Sequence, residues 1–66
     1  MEIKRAKHNL LRPVRYEGHE YIMQECVLWV AQDAAGAGQL RYSAILQDKA
    51  NNSILRVPLE AVEEME

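Results

Sequence analysis

The chain has 66 residues, so it forms one small domain at most, and a chain of this length buries only about 60% of the surface that it exposes when unfolded. Eight basic and ten acidic side chains give a net charge of −2, which argues against binding to nucleic acid or to an anionic membrane by charge alone. The single cysteine, Cys26, excludes an intramolecular disulfide and argues against a metal cluster held by thiolates. We therefore expect self-association to supply stability that a small core lacks.

The N-terminal segment, residues 1–9, is polar and has no sustained hydrophobic period, which predicts a flexible basic arm. A single domain then extends over residues 10–66. The longest apolar run, residues 26–31, is far shorter than the roughly 20 residues that a membrane helix needs. No apolar stretch follows the basic residues of the arm and the cysteine is unpaired, so we expect a cytoplasmic protein with no secretory signal and no membrane partner.

Charged side chains are unevenly distributed along the chain. Basic side chains dominate the first part, at Lys4, Arg5, Lys7, Arg12 and Arg15, and acidic ones close the chain, at Glu60, Glu63, Glu64 and Glu66. The simplest interpretation is two solvated ends that attract each other. The glutamates lack the spacing of a loop that binds a hard cation, so no metal is expected among them.

Residues 10–16 alternate apolar and polar side chains, which predicts an edge strand marked by Pro13. Glu17-Gly18 then supplies a turn, with Tyr16 and His19 on either side of it. The register of this hairpin would place matching side chains opposite one another. The pairs are Arg15 with Glu20, Val14 with Tyr21, and Arg12 with Met23.

Residues 21–31 form the longest predicted strand because β-branched and aromatic side chains are enriched in them; a helix is the alternative. The second half of this strand is apolar on both faces. Val27 and Trp29 lie on one face, and Cys26, Leu28 and Val30 lie on the other. A chain of this size cannot bury both faces of a sheet, so one face is either the far wall of a bent barrel or a contact with another subunit.

The rest of the chain predicts a loop, two strands, a helical turn and a short last strand. Residues 32–39 contain small side chains and two glycines, which favours a mobile loop, but they lack the Lys and Ser/Thr of a phosphate-binding loop. Pro58 cannot donate to a sheet, and its fixed φ suits the start of a helical turn. The predicted order is a half-buried strand over 40–47, a turn over 48–52, a strand over 54–57, a helical turn over 58–62 and a strand over 63–66.

This layout of five short strands with a proline-led turn before the last one resembles the SH3-like barrel. The segment Val57-Pro58-Leu59-Glu60-Ala61-Val62-Glu63 also resembles the end of plasmid-borne type II dihydrofolate reductases, SH3-like barrels that work as homotetramers. That family binds folate and NADPH in a pore shared by four copies, through a motif of Val-Gln-Ile-Tyr character. This chain has Ile54-Leu55-Arg56-Val57 at that place, so the resemblance implies association of barrels, and a pore enzyme is only the third hypothesis.

Candidate catalytic residues are few. A nucleophile needs an adjacent base that a third group orients, and no such set is recognisable here. Cys26 and His19 are seven positions apart on one predicted strand and so fall on opposite faces. Two histidines far apart cannot complete a metal site. We therefore expect no enzyme activity, no cofactor, no metal and an inert, packed Cys26.

The second apolar face of the predicted strand over residues 21–31 makes protein interaction the leading hypothesis. We expect a non-catalytic adaptor that self-associates, although Trp29 could equally fill the core. The interface residues would be Trp29, Leu28, Val30, Ile45, Ile54 and Arg56. The alternative is a nucleic-acid-binding accessory protein that uses the basic arm beside Tyr16 and Tyr21 as stacking rings. Its contacts would be Lys4, Arg5, Lys7, Arg12 and Arg15.

Overall fold

The computed structural model describes residues 1–65 and is mainly β. Its elements are α1 (Ile3–Asn9), β1 (Pro13–Tyr16), β2 (His19–Gln32), β3 (Gly38–Asp48), β4 (Ser53–Pro58), a 3₁₀ turn (Leu59–Ala61) and β5 (Glu63–Glu64). The strands form one antiparallel sheet in the order β4-β3-β2-β1-β5. The predicted mainly β fold, with five strands and a helical turn before the last, is confirmed. Over the described residues the outer strands β4 and β5 do not pair, so the sheet is open rather than a closed barrel.

The hairpin between β1 and β2 has the register that the sequence predicts. Arg15 pairs with Glu20 and Val14 with Tyr21, and the Met23 N–H donates to the Arg12 carbonyl. Both turn residues have positive φ, 50° at Glu17 and 80° at Gly18, as a tight hairpin turn that matches the strand twist requires. The strand itself begins at Pro13 rather than at Leu10.

The N-terminal segment forms a docked helix where the sequence predicts a flexible arm. Ala6 and Asn9 in α1 are buried, and Ile3 packs against the core. Glu2 stands at the helix N-cap without a side-chain cap, and so short a helix is marginal on its own. Packing on the sheet therefore stabilises α1, and a search for local periodicity does not detect that contribution.

A small core lies between α1, the sheet and the 3₁₀ turn. Met23, Leu46, Val14 and Val62 are the largest fully buried side chains. Ala6, Ala44, Val57 and Leu59 complete the core cluster. This core uses only part of each long strand, because the buried positions of β3 end at Ser43.

The chain closes as its last residues predict. Pro58 ends β4, the 3₁₀ turn begins at Leu59, and β5 pairs with β1 beyond it. The Val62 N–H donates to the Leu59 carbonyl across the turn. The predicted strand over 63–66 is seen at Glu63–Glu64, and residue 66 lies outside the described part of the chain.

Candidate functional site

Strands β2 and β3 run past both of their neighbours as a two-stranded extension, which we define as residues 28–42. The pairs from Leu28–Tyr42 to Gln32–Gly38 belong to β2 and β3 alone, because β1 pairs with β2 only up to Ile22 and β4 pairs with β3 only from Ser43. A bulge between Met23 and Glu25 shifts the register of β2 just before this region. The extension contributes to the long axis of 41 Å in a molecule only 18 Å thick.

Large apolar side chains on one face of the extension are exposed to solvent. Leu28 pairs with Tyr42, and Val30 pairs with Leu40, so each pair shares a face. The exposed fractions are 52% for Leu28, 59% for Val30, 69% for Leu40 and 40% for Tyr42. This face continues the core face of the sheet, because Cys26 pairs with the buried Ala44 further along the same ladder.

Trp29 lies on the opposite face of the sheet, where its side chain contacts residues of β3 and β4. Its Nε1 donates to Ser43 Oγ at 2.7 Å, and this hydroxyl is buried. The Arg56 guanidinium of β4 stands 5.4 Å from the Trp29 ring centroid, within the range of a cation–π contact. Trp29 is still 39% exposed, so it covers the sheet without becoming part of the core.

The predicted interface residues fall on two faces of the sheet. Leu28 and Val30 lie on the face that continues the core, whereas Trp29, Ile45, Ile54 and Arg56 lie on the other. Ile54 is 68% exposed and Ile45 is half-buried. A single flat contact cannot use all six residues, and the extension is where both faces are exposed together.

Leu40 and Tyr42 are exposed residues that the sequence reasoning did not assign to the interface. Their alternation with polar side chains predicts that one face of the strand is buried. The available signal is the length of the neighbouring strand, since β3 spans 11 residues and β4 only 6. The part of β3 that extends past β4 has an open backbone edge, and the buried positions of β3 end at the same place, Ser43.

A groove of about 690 Å³ lies along the edge of β3 where β4 ends. Apolar side chains from α1, β3 and the 3₁₀ turn line much of it, including Ile3, Leu40, Tyr42 and Leu59. Its charged rim carries both signs, with Glu2, Lys4, Arg41 and Glu60. This volume is within the usual range of small-molecule pockets.

The basic residues of the nucleic-acid hypothesis do not form one free surface. Arg5 donates to both carboxylate oxygens of Glu64, at 2.8 and 2.6 Å, which joins the basic and acidic ends of the chain as expected. This contact holds the pKa of Glu64 below its usual range, with help from the Asn9 amide. Lys4, Lys7, Arg12 and Arg15 are exposed.

The two tyrosines beside that basic surface are not free stacking platforms. Tyr16 and Tyr21 pack partly against the core, and their ring centroids are 6.3 Å apart at a tilt of 60°. Each ring therefore already has an aromatic neighbour. A nucleobase would have to displace that contact in order to stack between them.

The structure does not bring the two residues considered for catalysis, Cys26 and His19, together. Cys26 is half-buried on β2, and burial raises the pKa of its thiol, which disfavours the reactive thiolate. His19 stands at the far end of that strand beside Tyr16. Over residues 1–65, no group of three His, Cys, Asp or Glu side chains could hold a metal ion, and no helix is long and apolar enough to cross a membrane.

Comparison with known proteins leaves the chain without a family assignment. No family model, curated protein or solved structure matches it. Its function must therefore be argued from its own surface.

Proposed function

We propose that the chain is a small, non-catalytic protein-interaction module of the SH3-like type that self-associates through the extension, residues 28–42. The observation that carries the proposal is the exposure of Leu28 and Val30 on β2, beside the exposed Leu40 and Tyr42 on β3. Contiguous apolar patches larger than a few hundred Å² are rare on monomeric proteins and mark interaction sites. The strand order and the 3₁₀ turn before β5 support the SH3-like resemblance.

A second copy of the chain suits this surface. Asp33 and Arg41 are the only charged side chains between residues 28 and 42, so the extension is neutral and does not repel its own copy. The core holds eight buried apolar residues, and a domain this small gains stability from association. A cytoplasmic location for the module belongs to the same proposal.

The expected affinity follows from the exposed areas. About half of the Leu28 and Val30 side chains is exposed, and covering both in each copy would contribute about 3–6 kcal/mol per dimer. Association costs an estimated 4–15 kcal/mol in lost freedom. This apolar gain does not by itself exceed the cost, so we expect a weak, reversible dimer.

Sedimentation velocity over a range of concentrations tests the proposal. The average mass should rise from that of the 7.6 kDa monomer towards twice that value between low and high micromolar concentration. A mass that stays at the monomer value at high micromolar concentration would contradict self-association. In the proposed role as an adaptor, the dimer would be the form that binds further partners.

The nucleic-acid alternative has less support, because Arg5 is engaged by Glu64 and the tyrosines pack together. It predicts binding to mixed oligonucleotides that weakens steeply with salt and is reduced by Lys4→Gln or Lys7→Gln. No reductase activity is proposed, since Ile54, Leu55, Arg56 and Val57 stand in place of the motif that binds folate and NADPH in the type II enzymes.

A further inference from the structure

Among residues 1–65, one backbone edge of β2 has no partner strand along most of the extension. Residues 25–32 pair with β3 on one side only, because the neighbouring contacts on the other side end at Met23, which bonds to Leu11 and Arg12. We call these residues the open β2 edge. Backbone donors and acceptors that point outwards from such an edge can pair with another strand.

The usual protections of an edge strand are scarce here. Natural edges carry lysines, prolines or inward-pointing charges that prevent pairing with another chain. The open β2 edge contains neither lysine nor proline, and Glu25 is its only charged side chain. The bulge lies before it, between Met23 and Glu25, and so does not interrupt the apolar run. The edge is therefore suited to strand pairing.

We propose that two copies pair antiparallel along their open β2 edges, about a two-fold axis through Leu28, so that their sheets become one continuous sheet. This inference rests on the proposed self-association and specifies its geometry. Pairing of a strand with itself around such an axis places residues of the same face opposite each other. One residue must then face its own copy in the partner strand at the two-fold axis. Only a few residues of the open β2 edge can take that position, so few registers are possible.

Charge and space select Leu28 among these registers. An axis at Trp29 would bring Glu25 against the partner's Asp33, the residue that follows the end of β2, and neighbouring like charges are destabilising. An axis at Val27 would put Ala31 opposite the partner's Met23. The backbone of Met23 already forms hydrogen bonds with Leu11 and Arg12 and is not free to pair. The axis at Leu28 puts Val30 opposite the partner's Cys26, and Glu25 opposite the partner's Ala31.

The extent of this contact agrees with a reversible dimer. Seven paired residues span about 23 Å at the rise of a β-strand. An interface of that length and one sheet in thickness lies at or below the lower end of specific interfaces, about 1,200 Å² in total. Joining the sheets would also bring the exposed Leu28 and Val30 side chains of both copies together on one face.

The edge of β3 is the competing route for a partner. Only residues 38–42 of β3 lack a β4 neighbour, and Arg41 lies within that short edge. A charged side chain in a short edge strand discourages pairing. The groove beside this edge is thus a weaker candidate for the second copy than the open β2 edge.

Disulfide trapping tests the axis directly. In a Cys26→Ser background, Leu28→Cys should give a disulfide-linked dimer on mild oxidation, because opposite residues on antiparallel strands have Cα atoms about 4.5–5.5 Å apart. Leu40→Cys in the same background is the matched control, since it lies on the same face of the other strand and is more exposed. It should remain monomeric on a denaturing gel.

A second pair of variants tests the register. Val30→Cys with the native Cys26 retained should give a dimer with two disulfides, because each introduced thiol lies opposite the partner's Cys26. Replacing Cys26 by Ser in that variant should abolish the crosslink. A crosslink that persists after Cys26→Ser would overturn the axis at Leu28. Circular dichroism and Trp29 fluorescence show that each variant is folded.

A charged substitution at the residue on the axis tests the same pairing by sedimentation, without oxidation. Leu28→Lys would put two ammonium groups opposite each other and should weaken the dimer at least tenfold in sedimentation, whereas Leu40→Lys and Ile54→Lys should change it by less than threefold. Dimers that resist Leu28→Lys but are lost on Leu40→Lys or Ile54→Lys would overturn the edge pairing and leave self-association standing. A wild-type chain that stays monomeric would overturn both.

Discussion

Glu64 links the two ends of the chain at the scale of single residues. Its carboxylate accepts two hydrogen bonds from Arg5 and one from Asn9 Nδ2, and these hold its pKa below the usual range. A group whose pKa is lower in the folded state stabilises that state above its unfolded pKa, about 4.3 for Glu, and loses this contribution as the pH falls through its folded pKa. The contact should therefore stabilise the protein at neutral pH and lose this effect in acid.

Replacement of this carboxylate gives the first prediction. Glu64→Gln should lower the free energy of unfolding at pH 7, and the difference from the wild type should shrink as the pH falls below about 4. Urea unfolding at several pH values measures this. Glu63→Gln is the control, because the Glu63 side chain is exposed and accepts no hydrogen bond within residues 1–65, and it should have little effect at pH 7. A Glu64→Gln deficit that persists unchanged at pH 3 would contradict the ion-pair explanation.

Ser43 fixes the one tryptophan of the chain and gives the second prediction. Its buried hydroxyl accepts the hydrogen bond from Trp29 Nε1, so Ser43→Ala leaves the indole N–H without that partner. We expect a loss of about 1 kcal/mol in the free energy of unfolding and a shift in tryptophan emission. Ser53→Ala, at an exposed serine on β4, should change stability by less than about 0.5 kcal/mol. Equal effects at the two serines would contradict the role of the Trp29 contact.

At the scale of elements, α1 gives the third prediction. Ala6 is fully buried and Lys7, the next residue, is exposed. Ala6→Gln forces a larger polar side chain into a packed site and should cost about 1–3 kcal/mol, whereas Lys7→Gln should stay within about 0.5 kcal/mol. Chemical denaturation compares the two variants. Equal stabilities would show that residues 3–9 do not pack on the sheet.

Different elements of this chain depend on local sequence to different degrees. The β1–β2 hairpin was predictable to its register, because Glu17-Gly18 and the Arg15–Glu20 pair act over a few residues. Helix α1 was not, because its stability comes from Ala6 packing on distant strands. Alternation along β3 correctly separates its two faces, but it does not reveal that the buried positions end at Ser43, where the pairing with β4 also ends.

The candidate surface shows the same limit. The apolar run from Cys26 to Ala31 predicts that something must cover a second face, and Leu28 and Val30 are indeed exposed. The sequence alone does not reveal that β1 contacts end at Met23, and this ending creates the open β2 edge. Hence the exposed surface could be predicted from the sequence. The open β2 edge and the register of its pairing could be derived only from the strand pairing in the structure.

For the whole molecule, self-association and folding should be coupled. The dimer contacts form only between folded chains, so raising the protein concentration favours the folded state by mass action. Above the dissociation constant, each tenfold increase in concentration should add about 0.7 kcal/mol per chain, half of the 1.4 kcal/mol that a tenfold change carries for the dimer.

Thermal unfolding at increasing concentration gives the fourth prediction. For a domain of this size the expected rise in Tm is about 3–5 °C for each tenfold increase. Leu28→Lys should abolish this dependence and leave the Tm at the value of the dilute wild type, because Leu28 is about half exposed in the single chain and its replacement disturbs little of the core. Leu40→Lys should retain the dependence. A wild-type Tm that is independent of concentration would mean that the chain folds and acts as a monomer, and that its exposed extension serves a partner other than itself.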